Sequence, residues 1–247
     1  MSLVNIAVYE MGWVHRKSGY PDPSEYPMVK QAVEAARPIL TRPPKRKEPL
    51  SADLVRRVVS PLEKGSVADI QLAVLSSWDI FGFLRWDDLH RFKVDSLHFE
   101  ESRVAVFLEK RKNDQFREGS WVFVARCITP SPCPVAVLEK FLSVGNHAKA
   151  LPLFPNVQKS KRGVRIRKER MSYGRANELL KKELLNGGLG PAKFGIHSLR
   201  VGGASTAAVV GPPDRLFQRH GGWRSEKAWN NYIEESLNSL LLVSKSV

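Results

Sequence analysis

Apolar positions recur along the chain with two periods, about 3.6 and about 2, and these divide it into helical and extended stretches. Residues 1–41 read as one or two helices separated by the polar turn Lys17-Ser18-Gly19-Tyr20-Pro21-Asp22-Pro23, with the second helix at 28–37. Two adjacent prolines in Thr41-Arg42-Pro43-Pro44-Lys45-Arg46-Lys47 forbid helix there, which predicts a boundary near residue 45. The expected organisation is a helical segment over 1–44 and a larger domain over 45–247. In the larger domain, Ser51 is placed to cap a helix running to about Leu62. A second helix over 66–84 is apolar on several sides (Ile70, Val74, Leu75, Trp78, Phe81, Leu84), the mark of a buried central element.

Two strands are expected next, Leu97–Leu108 and Trp121–Ile128, joined by the polar turn 110–119. A helix started by Pro134 covers 134–144, and a short apolar piece follows at 151–155. The run 159–170, with seven basic residues in twelve, reads as a solvated loop. Helices near 172–185, 198–209 and 213–220 precede one that Ser225 caps and that carries Trp229 and Tyr232. The fold class expected is therefore α+β, mainly helical, with a small antiparallel sheet.

Composition narrows the partners. Lys and Arg total 39 against 25 acidic residues, a formal net charge of +14. A protein this basic is suited to a polyanion, because each phosphate it neutralises releases a condensed counterion. Nothing approaches the ~20 consecutive apolar residues a membrane helix needs, so no membrane partner is expected. The start of the chain reads as cytoplasmic, or nuclear if the source is eukaryotic. Cys127 and Cys133 are too few for a disulfide framework and lack the companions of a zinc site. The basic positions that would meet DNA are Lys45, Arg46 and Lys47 in the linker, Lys110 and Arg111 in the turn, and Lys161, Arg162, Arg165, Arg167 and Lys168 in the basic run.

The C-terminal third holds His197-Ser198-Leu199-Arg200, then Gly221-Gly222-Trp223, then Asn230-Asn231-Tyr232 nine residues beyond the Trp. Such spacing arises by chance in a chain of this composition at a rate on the order of 10⁻³ to 10⁻⁴. Upstream, Gly82-Phe83-Leu84-Arg85-Trp86-Asp87-Asp88 supplies an Arg at the end of the buried helix and an acid three residues on. This pattern resembles the tyrosine recombinases, the phage-integrase-like enzymes, over about residues 48–235. The turn Arg111-Lys112-Asn113-Asp114-Gln115 is similar to that of crypton-like and DIRS-type mobile-element recombinases.

The resemblance implies double-stranded DNA as partner, a dimer to tetramer on that DNA, and catalysis without metal or nucleotide cofactor. It implies roles as well. Arg85 and Arg200 clamp the non-bridging oxygens of the scissile phosphate. Tyr232 is the nucleophile; its hydroxyl, with an ordinary pKa of about 10, needs a base, for which His197 is the candidate. Lys112 protonates the departing 5′-oxygen, with Lys110 as its rival. Trp223 packs the site and offers its indole N–H, and Asp88 orients His197 or an arginine. His220 has no assigned role beyond a helix-terminal histidine. Three other readings stay open: a DNA-binding remnant without turnover, a type IB topoisomerase, and a basic structural nucleic-acid protein. About 40 residues before the linker are too few for a full helical DNA-clamping lobe, which implies a reduced lobe or a fragment. The apolar stripe Leu237/Leu240/Leu241 would dock on a neighbouring copy or pack on its own domain.

Overall fold

Residue 46 separates two units of the chain, Met1–Arg46 and Lys47–Val247. The computed structural model describes residues 3–40, 46–112, 114, 116–127, 133–145, 152–160, 163–234 and 241. In the first unit, α1 (Leu3–Lys17) and α2 (Pro27–Leu40) are joined by a single 3₁₀ turn at Pro23–Glu25. Asp22 organises that connection. Its carboxylate accepts the Ser24 N–H at 2.9 Å and pairs with Arg16, and it lies against Gly12, where a side chain would collide with it.

The second unit is built around one helix. α3 (Ala52–Leu62) starts where the Ser51 hydroxyl accepts the Leu54 N–H. α4 (Val67–Gly82) starts where the Asp69 carboxylate accepts the Ser66 N–H at 2.8 Å. The apolar run of α4 is buried on nearly every side, packed against α3, a sheet and several later helices. Trp78 is fully enclosed and donates its indole N–H to the Pro134 carbonyl at 3.1 Å. Phe83 takes a left-handed conformation (φ 47°), stopping α4 and turning the chain into the short α5 (Trp86–Leu89).

The expected pair of strands is three. β1 (Leu97–Phe99), β2 (Arg103–Leu108) and β3 (Ser120–Ala125) form an antiparallel meander, with Phe99 opposite Val104 and Val106 opposite Val122. The polar tripeptide Glu100-Glu101-Ser102 breaks the first stretch, so 97–108 folds back as a hairpin. Val104, Val106, Leu108, Val122 and Val124 face the core. α6 (Pro134–Val144) then packs on α4.

A second correction falls on the basic run. β4 (Pro155–Ser160) and β5 (Gly163–Arg170) pair as antiparallel strands there, rather than forming a loop. The alternation that builds the pair is carried by Val157, buried, opposite Ile166, half-buried, with exposed arginines between. Dense charge concealed that period of 2. The pair is anchored where Gln71 of α4 donates to the Pro155 carbonyl at 2.8 Å.

The rest is helical: α7 (Tyr173–Asn186), α8 (Ile196–Val210), α9 (Asp214–Gly221) and α10 (Glu226–Asn230). Tyr232 does not ride on α10 as expected but lies two residues past its end, in a turn. α8 crosses very close to α4. A Cβ at Gly203 would enter the Ile80 carbonyl, and one at Gly202 the Leu50 carbonyl. Leu50 is itself held by its N–H to the Ser198 carbonyl at 2.9 Å.

This contact generates a stability prediction. Gly203→Ala should lower the unfolding free energy by about 3 kcal/mol, because backbone cannot yield as a side chain can. Gly174→Ala, in the open first turn of α7, should instead raise it by about 0.5 kcal/mol. Urea midpoints of the two variants decide it, and equal effects would refute the close-approach argument.

Candidate active site

The site forms where α8 leaves its first turn. His197 and Arg200 are three residues apart on α8, and Arg200 is completely buried. Its guanidinium carbon lies 4.8 Å from the ring centre of Trp223 and 4.7 Å from that of Tyr232. The cation therefore contacts two aromatic faces at once, an attractive geometry that strengthens out of water. Its Nη2 donates to the Gly221 carbonyl at 2.9 Å. Burial and the neighbouring Arg85 lower its pKa to about 10, so it stays charged at neutral pH.

Tyr232 also meets the rings of His197, at 5.2 Å, and of Trp223, at 5.3 Å. Its segment is tied down by one hydroxyl: Ser205 Oγ donates to the Tyr232 carbonyl at 3.3 Å and accepts the Glu234 N–H at 2.8 Å. A small apolar cluster of Phe83, Ala204, Phe217 and Trp223 forms the floor, with Trp229 and Ile233 against it.

Arg85 enters from the end of α4. Its backbone N–H donates to the buried Asp88 carboxylate at 3.1 Å, which fixes the turn that carries it. Its Nη1, with Nε and Nη1 of Arg200 and the indole nitrogen of Trp223, is a buried donor without an acceptor among the described residues. His197 keeps one side open to solvent. Partial burial, then the charges of Arg200 and Arg85, push its pKa below the usual 6.5. With one side of the ring wet, the two guanidiniums are the firmer part of that shift. A neutral imidazole beside a phenol can accept its proton.

The other expected positions fall at the periphery. Lys110 and Lys112 are exposed, whereas Arg111 between them is buried and turned inward. Arg46, Arg165, Arg167 and Lys168 are exposed, and Lys47 donates to the Ala192 carbonyl. Lys45, Lys161 and Arg162 lie outside the described residues, as do Leu237 and Leu240 of the tail stripe; Leu241 is exposed. Both thiols are free, with the Cys127 N–H directed at the Cys133 sulfur at 3.2 Å.

Two residues were invisible as site components. His220 Nε2 donates to the Phe81 carbonyl at 2.8 Å and so pins α9 to the end of α4, beside Arg85. Asp79 is a fully buried carboxyl whose pKa burial pushes well up, with Arg200 acting against that shift. Only their chain positions, one residue before Gly-Gly-Trp and one helical turn before the end of α4, could have signalled them.

No protein-family model matches the chain. It is 23% identical over 218 residues to an integrase/recombinase XerD homolog of Selenomonas ruminantium, covering 88% of this chain and 63% of that protein. Its structure is similar to XerH site-specific recombinase bound to palindromic difH substrate (TM-score 0.61, 13% identity, 81% of this chain and 53% of that one). It is likewise similar to the Tn1549 transposon integrase in complex with transposon right end DNA (TM-score 0.58, 12% identity, 100% and 80%). The fold is thus that of tyrosine recombinase catalytic domains, mainly helical with small antiparallel sheets. The chain spans about two-thirds or less of the XerD homolog and of XerH.

The half-buried His220 yields a pH prediction. Burial, with Arg111 and Arg200 nearby, holds His220 below 6.5 despite the Phe81 carbonyl, which favours the charged form. The folded protein then stays unprotonated while the unfolded chain binds a proton below pH 6.5. Its contribution is complete above 6.5 and is lost as pH falls through the depressed folded value. In urea titrations between pH 8 and 5, wild type should lose more stability than His220→Gln; parallel profiles would count against the burial argument.

Proposed function

We propose that this chain is a site-specific DNA recombinase or integrase that breaks and rejoins double-stranded DNA through a 3′-phosphotyrosine at Tyr232. The observation that carries the reading is Arg200, packed on the rings of both Trp223 and Tyr232, with His197 against the same tyrosine. These residues come from one helix and two separate segments beyond it, and they converge on one point. The sequence relationship to the XerD homolog supports the same class.

In this reading the scissile phosphate accepts from Arg85, Arg200 and the Trp223 indole, which stabilise the charge that builds on its oxygens. The Tyr232 oxygen attacks phosphorus as its proton passes to His197. The bond to the 5′-oxygen breaks, and that oxygen takes a proton from an exposed hairpin lysine, Lys112 or Lys110. Rejoining reverses each step. The bond energy is kept in the phosphotyrosine, so each cycle is close to isoenergetic. The exposed cations of β5 hold flanking phosphates, and copies of the chain assemble on the DNA. Its kinship with crypton- and DIRS-type mobile-element recombinases rests on the Arg111–Gln115 turn alone.

Covalent capture tests the proposal. Incubated with a pool of nicked suicide duplexes, wild type should give a protease-sensitive slow band on denaturing gels that Tyr232→Phe lacks. Tight binding without an adduct would favour an inert DNA-binding remnant. Arg200→Ala should cut adduct formation by ~10²-fold or more while leaving most of the binding. Neutralising about 8 phosphates would give a slope near −7 for log K against log salt, and a flat dependence would defeat the nucleic-acid reading.

A further inference from the structure

We infer that Arg111 is a third guanidinium of the site, seated over Gly222, and that it, rather than either flanking lysine, donates to the non-bridging oxygens of the scissile phosphate. The inference rests on the proposed phosphate chemistry of this site but assigns a residue that the sequence pattern gives only to general DNA contact.

The loop between β2 and β3 sends its cations in opposite directions. Lys110 and Lys112 face solvent, while Arg111 retains 6% of its surface. The loop is built to hold that orientation. The Asp114 carboxylate accepts the N–H groups of Glu118 and Gly119 at 3.1 and 3.0 Å, and the Asp114 N–H returns to the Arg111 carbonyl at 3.0 Å. Gly119, at φ 70°, closes the turn.

Gly222 is the other half of the seat. Its φ of 62° suits glycine, and a Cβ there would run into the Arg111 guanidinium. The arginine thus lies across the glycine between the carbonyl that holds Arg200 and the Trp223 ring that stacks on it.

The unused donors set the ligand chemistry. Among the described residues, Nε and Nη2 of Arg111 are buried without an acceptor, as are Nη1 of Arg85, Nε and Nη1 of Arg200 and the Trp223 indole nitrogen. Both oxygens of buried Asp79 are likewise without a donor among those residues, so these N–H groups are not aimed at that carboxylate. A group presenting several oxygens and negative charge, a phosphodiester, fits such an array. Arg111 also lines a cleft of about 170 Å³ with Trp223, Arg219 and Arg224, faced by Asp114 and Glu118. A guanidinium holds its proton at any working pH, so Arg111 binds and stabilises charge. Protonation of the leaving oxygen stays with a lysine.

The alternative is that Arg111 is structural, neutralising buried Asp88. Two measurements on the full chain separate these. The first is titration with inorganic phosphate at low ionic strength, followed by the arginine Nε–H signals in ¹⁵N NMR. Arg111→Lys should weaken phosphate by about tenfold, Gly222→Ala similarly, and Lys112→Ala by less than about twofold. An unchanged Arg111→Lys, a Lys112→Ala loss as large, or no phosphate binding by wild type would each overturn the assignment. The second is thermal melting of Arg111→Met. A structural arginine would lower Tm without phosphate; an anion-binding one leaves that Tm unchanged or higher and abolishes the rise that phosphate induces. If wild type binds phosphate through Arg111 yet never forms the Tyr232 adduct on DNA, the strand-breaking reading fails, and Arg111 stands as a phosphate-binding residue alone.

Discussion

Three guanidiniums, from Arg85, Arg111 and Arg200, converge on a partly dry pocket, where burial and then the charge of Arg85 lower the pKa of Arg111 and of Arg200, and the rest of the structure serves that arrangement. Like charges brought out of water repel strongly, and each has lost hydration that the protein only partly replaces. Asp88 supplies one compensating charge nearby. Asp79 supplies less, because its own burial disfavours ionisation. The imbalance is tolerable only if the frame is rigid. That rigidity comes from close backbone contacts of α8, with Ile80 of α4 at Gly203 and with Leu50 at Gly202. The two helices that deliver Arg200 and Arg85 are thereby set at one fixed separation, buried and with no side chain between them to repack.

The second support is a run of four residues in which each does a different task. His220 ties the end of α9 to the Phe81 carbonyl at the end of α4. Gly221 offers its carbonyl to Arg200. Gly222 leaves room for Arg111. Trp223 covers Arg200 with its ring and keeps an indole N–H unused. Because these tasks sit on adjacent peptide units, the three arginines are coupled through a single stretch of backbone, and a shift at any of the four is felt by all. This is why a histidine with no chemical role of its own belongs to the site's architecture.

Much of the fold was legible because its determinants are local. The apolar run of α4 announces a buried helix, and Ser51 and Ser225 cap helix starts where such residues are expected. What was hidden needed longer reach. The β4–β5 pair alternates only weakly, since its few apolar residues are outnumbered by cations that read as a loop. The break at Glu100-Glu101-Ser102 is a polar tripeptide whose effect depends on β1 having β2 to pair with. The inward turn of Arg111 could not be counted from strand parity, because Asp114 and Gly119 reset the direction of the chain within the loop. Sequence spacing singles out Arg85, His197, Arg200, Trp223 and Tyr232 as a set, but says nothing of which surfaces they present to one another.

Tyr232 shows why those surfaces matter. Two residues past the end of α10, its N–H still donates to the Trp229 carbonyl at 2.8 Å, and its carbonyl accepts from Ser205 at 3.3 Å. With a guanidinium on one side and an imidazole on another, the ring is oriented by the groups that would act on its hydroxyl. A tyrosine bonded covalently to a DNA strand must let that strand reposition without unfolding its host. A short tether beyond a helix permits this, whereas a helix would resist it. The positive charge of the site is thus carried by the α4–α8 frame, while the tyrosine that would change bonds sits on a turn outside any helix, positioned against that charge by its ring contacts.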